Sequence, residues 1–96
     1  MSSIRKFVLE NKNLQKLRLP CNSKIMSVIE QRNKIVLYVM ISNNCSDRDL
    51  LIHVIGYEQI FSSLDKKFIG TVSLDGGTQI VHIFYEWDVL STDQPK

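Results

Sequence analysis

No stretch of this sequence approaches the roughly 20 consecutive apolar residues that a membrane-spanning helix requires. The opening residues M-S-S-I-R-K-F carry charge with no long apolar core behind them. A secretory leader is therefore not expected, and the chain reads as a cytoplasmic protein that makes no membrane contact. An excess of one charge is missing too. The formal net charge is +2, and Arg5-Lys6 and Lys66-Lys67 are the adjacent basic pairs. Nucleic-acid binding normally needs a clustered basic face, so no nucleic-acid partner is expected.

Cysteine is scarce. Cys21 and Cys45 are the two present; they would pair only by accident of the fold, and a reducing compartment would keep them as thiols. Asn44-Cys45-Ser46 has the form of a glycosylation sequon, which carries no meaning without secretion. Neither cysteine stands at a ligand-like spacing from His53 or His82, so no metal is expected. No Gly-rich phosphate-binding spacing occurs, and no cofactor is expected. There are no internal repeats and no low-complexity segments.

What is present is an ordinary globular composition. The chain has 96 residues, 44% hydrophobic and 23% charged, which suits one domain with one modest core. The central stretch is Lys34 to Ser42, K-I-V-L-Y-V-M-I-S. Ile35, Leu37, Val39 and Ile41 line one side, and Val36, Tyr38 and Met40 the other. Both sides are apolar and rich in β-branched residues, which predicts a central strand covered on both faces.

Around it the other elements follow in order. Ile4 to Leu9 reads as a first strand and Leu14 to Leu19 as a half-exposed second. Asn11-Lys12-Asn13 between them is a turn signal. A hairpin is the favoured reading of this region. Ile4, Phe7, Val8, Leu14 and Leu17 also fit a helical stripe, although Asn11 interrupts it. Pro20 to Ser23 breaks the chain. Lys24 to Gln31 is a third strand, joined to the central one by Arg32-Asn33, with Asn33 expected at positive φ. Asn43 to Asp49 reads as an exposed loop and Leu50 to Tyr57 as a fifth strand. Gly56 near its end suggests a bulge or a close backbone approach. Glu58 to Asp65 carries no clear pattern. Lys67 to Leu74 and Gln79 to Trp87 are strands flanking Asp75-Gly76-Gly77, a hairpin turn. Gly70 marks a bulge or a spot where a neighbour's side chain packs.

Val89 to Lys96 ends T-D-Q-P-K and reads as frayed, so a single β domain is placed at residues 1–90 and a tail at 91–96. Seven short strands without a long helix predict an all-β fold, mainly antiparallel: a sandwich or a small, partly open barrel.

Several short motifs occur in a set order: Ile4 to Leu9, Leu19-Pro20, Lys24 to Val28, Val36 to Met40, Ile55 to Tyr57, then F-I-G-T-V at Phe68 to Val72 and V-H-I-F-Y-E at Val81 to Glu86. In this order the chain resembles a family of small bacteriophage and prophage proteins of unassigned activity. It departs from that family where Gln79-Ile80-Val81 replaces an aromatic before the histidine, and where Trp87 and the tail extend the end. The resemblance implies a small β-domain of viral origin and brings no catalytic residues. Phage genomes place small accessory genes of this size in regions for host takeover or counter-defence, which implies a host or defence protein as partner.

The residues themselves point the same way. His53 and His82 lie on strands among apolar neighbours, and Glu86, on the face of His82, is about 13 Å along the strand. A general base would need an orienting carboxylate and a nucleophile in reach. Two hydrogen-bonded structural imidazoles are the expectation, with His53 and His82 kept as a polar site of last resort. Tyr57, Tyr85 and Trp87 are the candidate interface residues; Tyr38 is assigned to core packing. No enzymatic activity and no catalytic residue is expected. The function expected is that of a non-enzymatic binding protein. The alternatives are a small-molecule or nucleotide-signal binder with a pocket between subunits, and a structural component of an assembly. Unpaired sheet edges and the doubly apolar strand favour a homo-oligomer, a dimer in the simplest case.

Overall fold

The structure, a computed structural model, describes residues 1–42 and 45–88. Seven strands form in sequence: β1 (Ser2–Leu9), β2 (Leu14–Pro20), β3 (Lys24–Gln31), β4 (Lys34–Ser42), β5 (Asp47–Gly56), β6 (Lys67–Leu74) and β7 (Gln79–Trp87). They build two antiparallel sheets, one of three strands in the order β1-β4-β3 and one of four in the order β2-β5-β7-β6. The expected all-β, antiparallel architecture is therefore present, as an open sandwich rather than a closed barrel. No helix among the described residues is long and apolar enough to cross a membrane. The tail at 91–96 lies outside the described residues, as does Asn44 of the sequon.

The core lies between the sheets and follows from strand alternation. Ile35, Leu37, Val39 and Ile41 of β4 are buried against Leu50, Ile52 and Val54 of β5 and Val81 and Ile83 of β7. The molecule is flat, 45 × 30 × 16 Å, so much of its chain faces outward from one of two broad sheet faces.

The two short connections form as local chemistry predicts. β3 and β4 are a hairpin in which both Arg32 (φ 52°) and Asn33 (φ 62°) are left-handed. β6 and β7 are joined by Asp75–Gly77, with Asp75, Gly76 and Gly77 all at positive φ. The two turns are clasped together. The Asn33 side-chain amide donates to Asp75 Oδ1 at 2.8 Å, and the Asp75 backbone N–H donates to Asn33 Oδ1 at 2.6 Å.

Four expectations are corrected. β1 and β2 are strands, but not a hairpin: β1 pairs with β4, and β2 crosses to pair with β5. Gln15 supplies at this corner the bonds that a hairpin ladder would have made. Its Oε1 accepts from the Glu10 N–H at 2.9 Å and its Nε2 donates to the Glu10 carbonyl at 2.6 Å. The Asn13 carbonyl accepts from the Val54 N–H, tying the corner to β5. Second, β4 is central to its sheet, yet among the described residues no layer covers its outer side. Tyr38 and Met40 stay partly exposed there, while Val36 is buried by its strand neighbours. Third, β5 begins at Asp47, inside the expected loop, because Asp47, Arg48 and Asp49 pair with Pro20, Leu19 and Arg18. Fourth, Cys21 and Cys45, expected as thiols, are joined as a disulfide with their Cα atoms 5.4 Å apart. The bond ties the β2–β3 turn to the β4–β5 connection, beside a Cys21 N–H to Ser46 carbonyl bond of 2.9 Å.

At the other side of the sandwich, β3 and β6 meet edge to edge. Each carries a register shift, at Met26 in β3 and at Ile69 in β6. The β6 bulge changes which side chains face out. Phe68 sits opposite Phe84 on the outer face, while Gly70, opposite Ile83, faces the core. A Cβ on Gly70 would lie 3.0 Å from Val28 Cγ1, so the close packing expected at this glycine is real.

Candidate functional site

The outer face of the four-stranded sheet gathers most of the chain's unusual side chains. Register sets it: Leu51 lies opposite Glu86, His53 opposite Phe84, and Ile55 opposite His82. On the far side of β7, Phe68 lies opposite Phe84 and Thr71 opposite His82. Residues 57–66, which lead from β5 to β6, fold back over this face. Gln59 starts the reversal: its Oε1 accepts from the Gly56 N–H at 3.0 Å, and its own N–H donates to the Gly56 carbonyl. Left-handed backbone at Glu58 (φ 60°) and Asp65 (φ 63°) shapes the two ends.

Phe84 is the centre of an aromatic trio. The Phe61 ring lies 5.1 Å from it at 51°, and the Phe68 ring 5.4 Å away, edge-on. These are favoured arrangements for ring quadrupoles. The trio, with Ile55, Gly56, Tyr57, Glu58, Gln59 and His82, lines an open cleft of about 290 Å³. Its surroundings are strongly apolar for a surface: Tyr57 is 83% exposed, Ile60 97% and Leu64 75%. Ile60 and Leu64 stand on the segment that crosses this face; isolated exposed apolar residues are ordinary, but the exposed Tyr57, Phe61 and Phe68 share one cleft, which is the signature of a contact surface.

The polar groups flank the trio. His53 Nε2 and Glu86 Oε2 are 2.7 Å apart, and Lys66 Nζ lies 3.7 Å from the same oxygen. All three side chains are largely withdrawn from solvent. On the other side His82 Nδ1 is 2.9 Å from Thr71 Oγ1. A carboxylate that orients an imidazole is half of a general-base arrangement, which also requires a nucleophile or substrate position in reach. Among the described residues no serine, threonine or cysteine is hydrogen-bonded to His53. The dyad is instead placed to hold Lys66, and with it the end of the 57–66 segment, against the sheet. No group of three or more His, Cys, Asp or Glu among the described residues is arranged to hold a metal ion.

The residues singled out in the sequence are distributed unevenly. Tyr57, His82 and, one strand pair away, His53 come together on this face. Tyr85 and Trp87 lie on the opposite side of β7, partly buried against the core, where the Arg48 guanidinium sits 5.0 Å from the Trp87 ring. Sequence reading missed Phe61, Phe68 and Phe84. A signal was present in Ile60, Phe61 and Leu64, three large apolar residues in a segment with no strand or helix period. A larger cleft of about 400 Å³ lies at one end of the sandwich, beside the Asn33–Asp75 clasp. Glu10, Asn11, Lys34 and Gln79 contribute to its lining, and it lacks an aromatic residue.

No curated protein and no solved structure shows detectable similarity to this chain. Residues 1–93 match the model of one family, described as a domain of unknown function, and the chain belongs to that family, DUF7352.

Proposed function

We propose that this domain is a non-enzymatic binding protein that takes hold of a partner protein through the aromatic cleft. The observation that carries this is the gathering of Tyr57, Phe61 and Phe68 around a cleft floored by Phe84. Burying aromatic anchors of this kind is how a small interface acquires most of its energy. The engagement of both imidazoles, His53 with Glu86 and His82 with Thr71, supports a binding role over a catalytic one. In the setting that the phage resemblance implies, the partner is a host or defence protein met in the host cytoplasm.

The test is an affinity measurement on the partner recovered with the purified protein, using Phe61→Ala and Phe68→Ala. Both residues are partly solvent-exposed, so the fold should survive, as circular dichroism would verify. A central aromatic anchor is worth about 2–4 kcal/mol, so each substitution should weaken binding by at least about thirtyfold. Unchanged affinity in both variants would sink the cleft as the contact.

The second reading is a small-molecule or nucleotide-signal binder. The open geometry of the cleft favours it in one respect: the exposed Phe61 and Phe68 rings could stack on a planar ligand that a second copy of the chain then encloses. Mass spectrometry of a heat-released extract separates the two readings, since only the second predicts a bound metabolite.

A further inference from the structure

The outer face of the three-stranded sheet has a different character. Strand alternation places Ile4, Lys6 and Val8 of β1 outward. Their partners across the ladder are Met40, Tyr38 and Val36 of β4. On the other side Ile29 and Ser27 of β3 lie opposite Val36 and Tyr38. The middle is therefore a flat aliphatic field. Val8 is 60% exposed and Ile4 53%, although the neighbouring strand β4 supplies Ile35, Leu37, Val39 and Ile41 to the core.

Charge on this face has one sign. Lys6, Lys24 and Lys34 stand on its strands, and Arg32 stands in the adjoining turn. Among the described residues no Asp or Glu shares the face: Glu30 lies opposite Ile35 and so has the core-facing parity, and its carboxylate accepts from the Asn33 N–H. Among the described residues none of these four cations is in an ion pair. Three of them converge. Lys6, Arg32 and Lys34, with Val8, Gln31 and Val36, line a depression of about 470 Å³. Arg32 also holds a left-handed backbone at φ 52°, a conformation that glycine or asparagine would adopt at less cost. The clasp between Asn33 and Asp75 fixes that turn to the opposite sheet. The backbone that carries this cation is thus anchored at its turn.

We propose that this face is a second docking surface, which takes an acidic amphipathic segment of a partner protein. The segment's aliphatic side chains lie on Ile4, Val8 and Ile29, and its carboxylates enter the depression ringed by Lys6, Arg32 and Lys34. The charge pattern selects this occupant. A second copy presenting the same face would set lysine against lysine, which disfavours a symmetric dimer here. A nucleic-acid strand would want a row of stacking aromatics, and among the described residues Tyr38 is the one aromatic on the face. A lipid surface would want interfacial aromatics that project outward, whereas this field is flush and aliphatic.

The experiment uses the whole protein and a fluorescent synthetic peptide in which glutamate alternates with leucine. Anisotropy is read alongside a single-stranded DNA oligonucleotide, vesicles containing phosphatidylserine, and the solution mass. The expected result is saturable peptide binding that weakens as salt rises. The combined variant Lys6→Gln, Arg32→Asn and Lys34→Gln should lose at least about tenfold in affinity, with asparagine chosen because it tolerates the left-handed turn. Val8→Ser should weaken binding as well. Phe68→Ala, on the opposite sheet, should leave it unchanged, so failure here is distinguishable from failure of the aromatic cleft. The proposal is overturned if no peptide binding appears up to about 1 mM, the weak end of useful affinity. It is equally overturned if the triple variant binds as well as the parent, if DNA or vesicles bind more tightly than the peptide, or if the parent is a dimer that the triple variant dissolves.

Discussion

Gly70→Ala is the sharpest test of how the two sheets are fitted together. Gly70 is not at positive φ, so alanine can adopt its backbone. Taken alone, the substitution should stabilise the protein by about 0.4–1 kcal/mol, because the unfolded chain loses freedom. Packing opposes this. The new methyl would stand 3.0 Å from Val28 Cγ1, well inside the roughly 3.5–4.0 Å optimum for carbon contacts. Val28 has little room to yield. It is buried, it is β-branched and stiff at χ1, and it follows the β3 bulge closely. Overpacking of this kind costs about 1–3 kcal/mol. The net expectation is a loss of about 1 kcal/mol, or roughly 4–8 °C in Tm for a domain of this size.

A double-mutant cycle separates this mechanism from a general intolerance of the bulge. Val28→Ala removes the obstructing methyls at a cost of its own. In that background Gly70→Ala should become neutral or stabilising, giving a coupling of about 1–2 kcal/mol. Chemical denaturation of the four proteins provides the measurement. A stabilising Gly70→Ala in the parent would refute the reasoning, as would an equal cost in both backgrounds. The outcome bears on function too, since the same bulge turns Phe68 outward to Phe84.

Three further predictions concern the joints of the sandwich. Reducing the Cys21–Cys45 bond, which spans 24 residues, should lower stability by about 3 kcal/mol through the freedom restored to the unfolded chain; equal urea midpoints with and without reductant would contradict this. In a reducing cytoplasm the same loss would apply to the working protein. Asn33→Gly keeps the left-handed turn but removes both side-chain bonds to Asp75, and should cost about 1 kcal/mol with β3 and β4 still paired; no change in denaturation midpoint would show that the clasp is idle. Glu86→Ala leaves the largely buried His53 and Lys66 without their shared acceptor and should cost about 1–3 kcal/mol, with faster proteolysis within residues 57–66; unchanged proteolysis would remove the dyad's assigned role.

What could be read in the sequence was local. The Lys34 to Ser42 run, the Arg32-Asn33 turn and the Asp75-Gly76-Gly77 turn each carry their signal within a few residues; the two turns form as read, and the run forms as a central strand, though without the cover on its second face. Pairing across the sandwich is not local. β1 and β2 have the composition of a hairpin and a turn between them, yet the ladder each joins is decided by β4 and β5, which come later in the chain. Phe68 shows a second limit. Strict alternation from Phe68 through Val72 to Leu74 puts all three on one face, and the bulge at Ile69 breaks that alternation without a residue type that announces it. The His53–Glu86 contact has a similar cause. The two are diagonal neighbours on adjacent strands, β5 and β7, between which β6 intervenes in the sequence, so distance along one strand made Glu86 appear useful only to His82.

The shape of the molecule sets a further condition on any account of its function. One core fills the space between the sheets, so binding must use the outer faces. The aromatic cleft and the cationic field point away from each other across a body 16 Å in its shortest dimension. Their side chains share no partner, and substitutions separated by more than about 10 Å without shared partners combine additively to within roughly 0.5 kcal/mol. Phe68→Ala and the combined lysine and arginine variant should therefore act independently: each weakens binding at its own face alone, and the quadruple protein should retain the fold and show both losses. If one partner were sensitive to both sets in a cooperative way, it would have to wrap an edge of the sandwich. The β1 and β2 edges would then be the route, because β3 and β6 already meet along the other. Arg5 stands on β1 there, whereas Lys16 and Arg18 on β2 are both paired with Asp49. Titrating the acidic peptide in the presence and absence of the cleft-bound partner decides between the two arrangements. An unchanged Kd means two independent faces, and a shift means one partner that reaches around the edge.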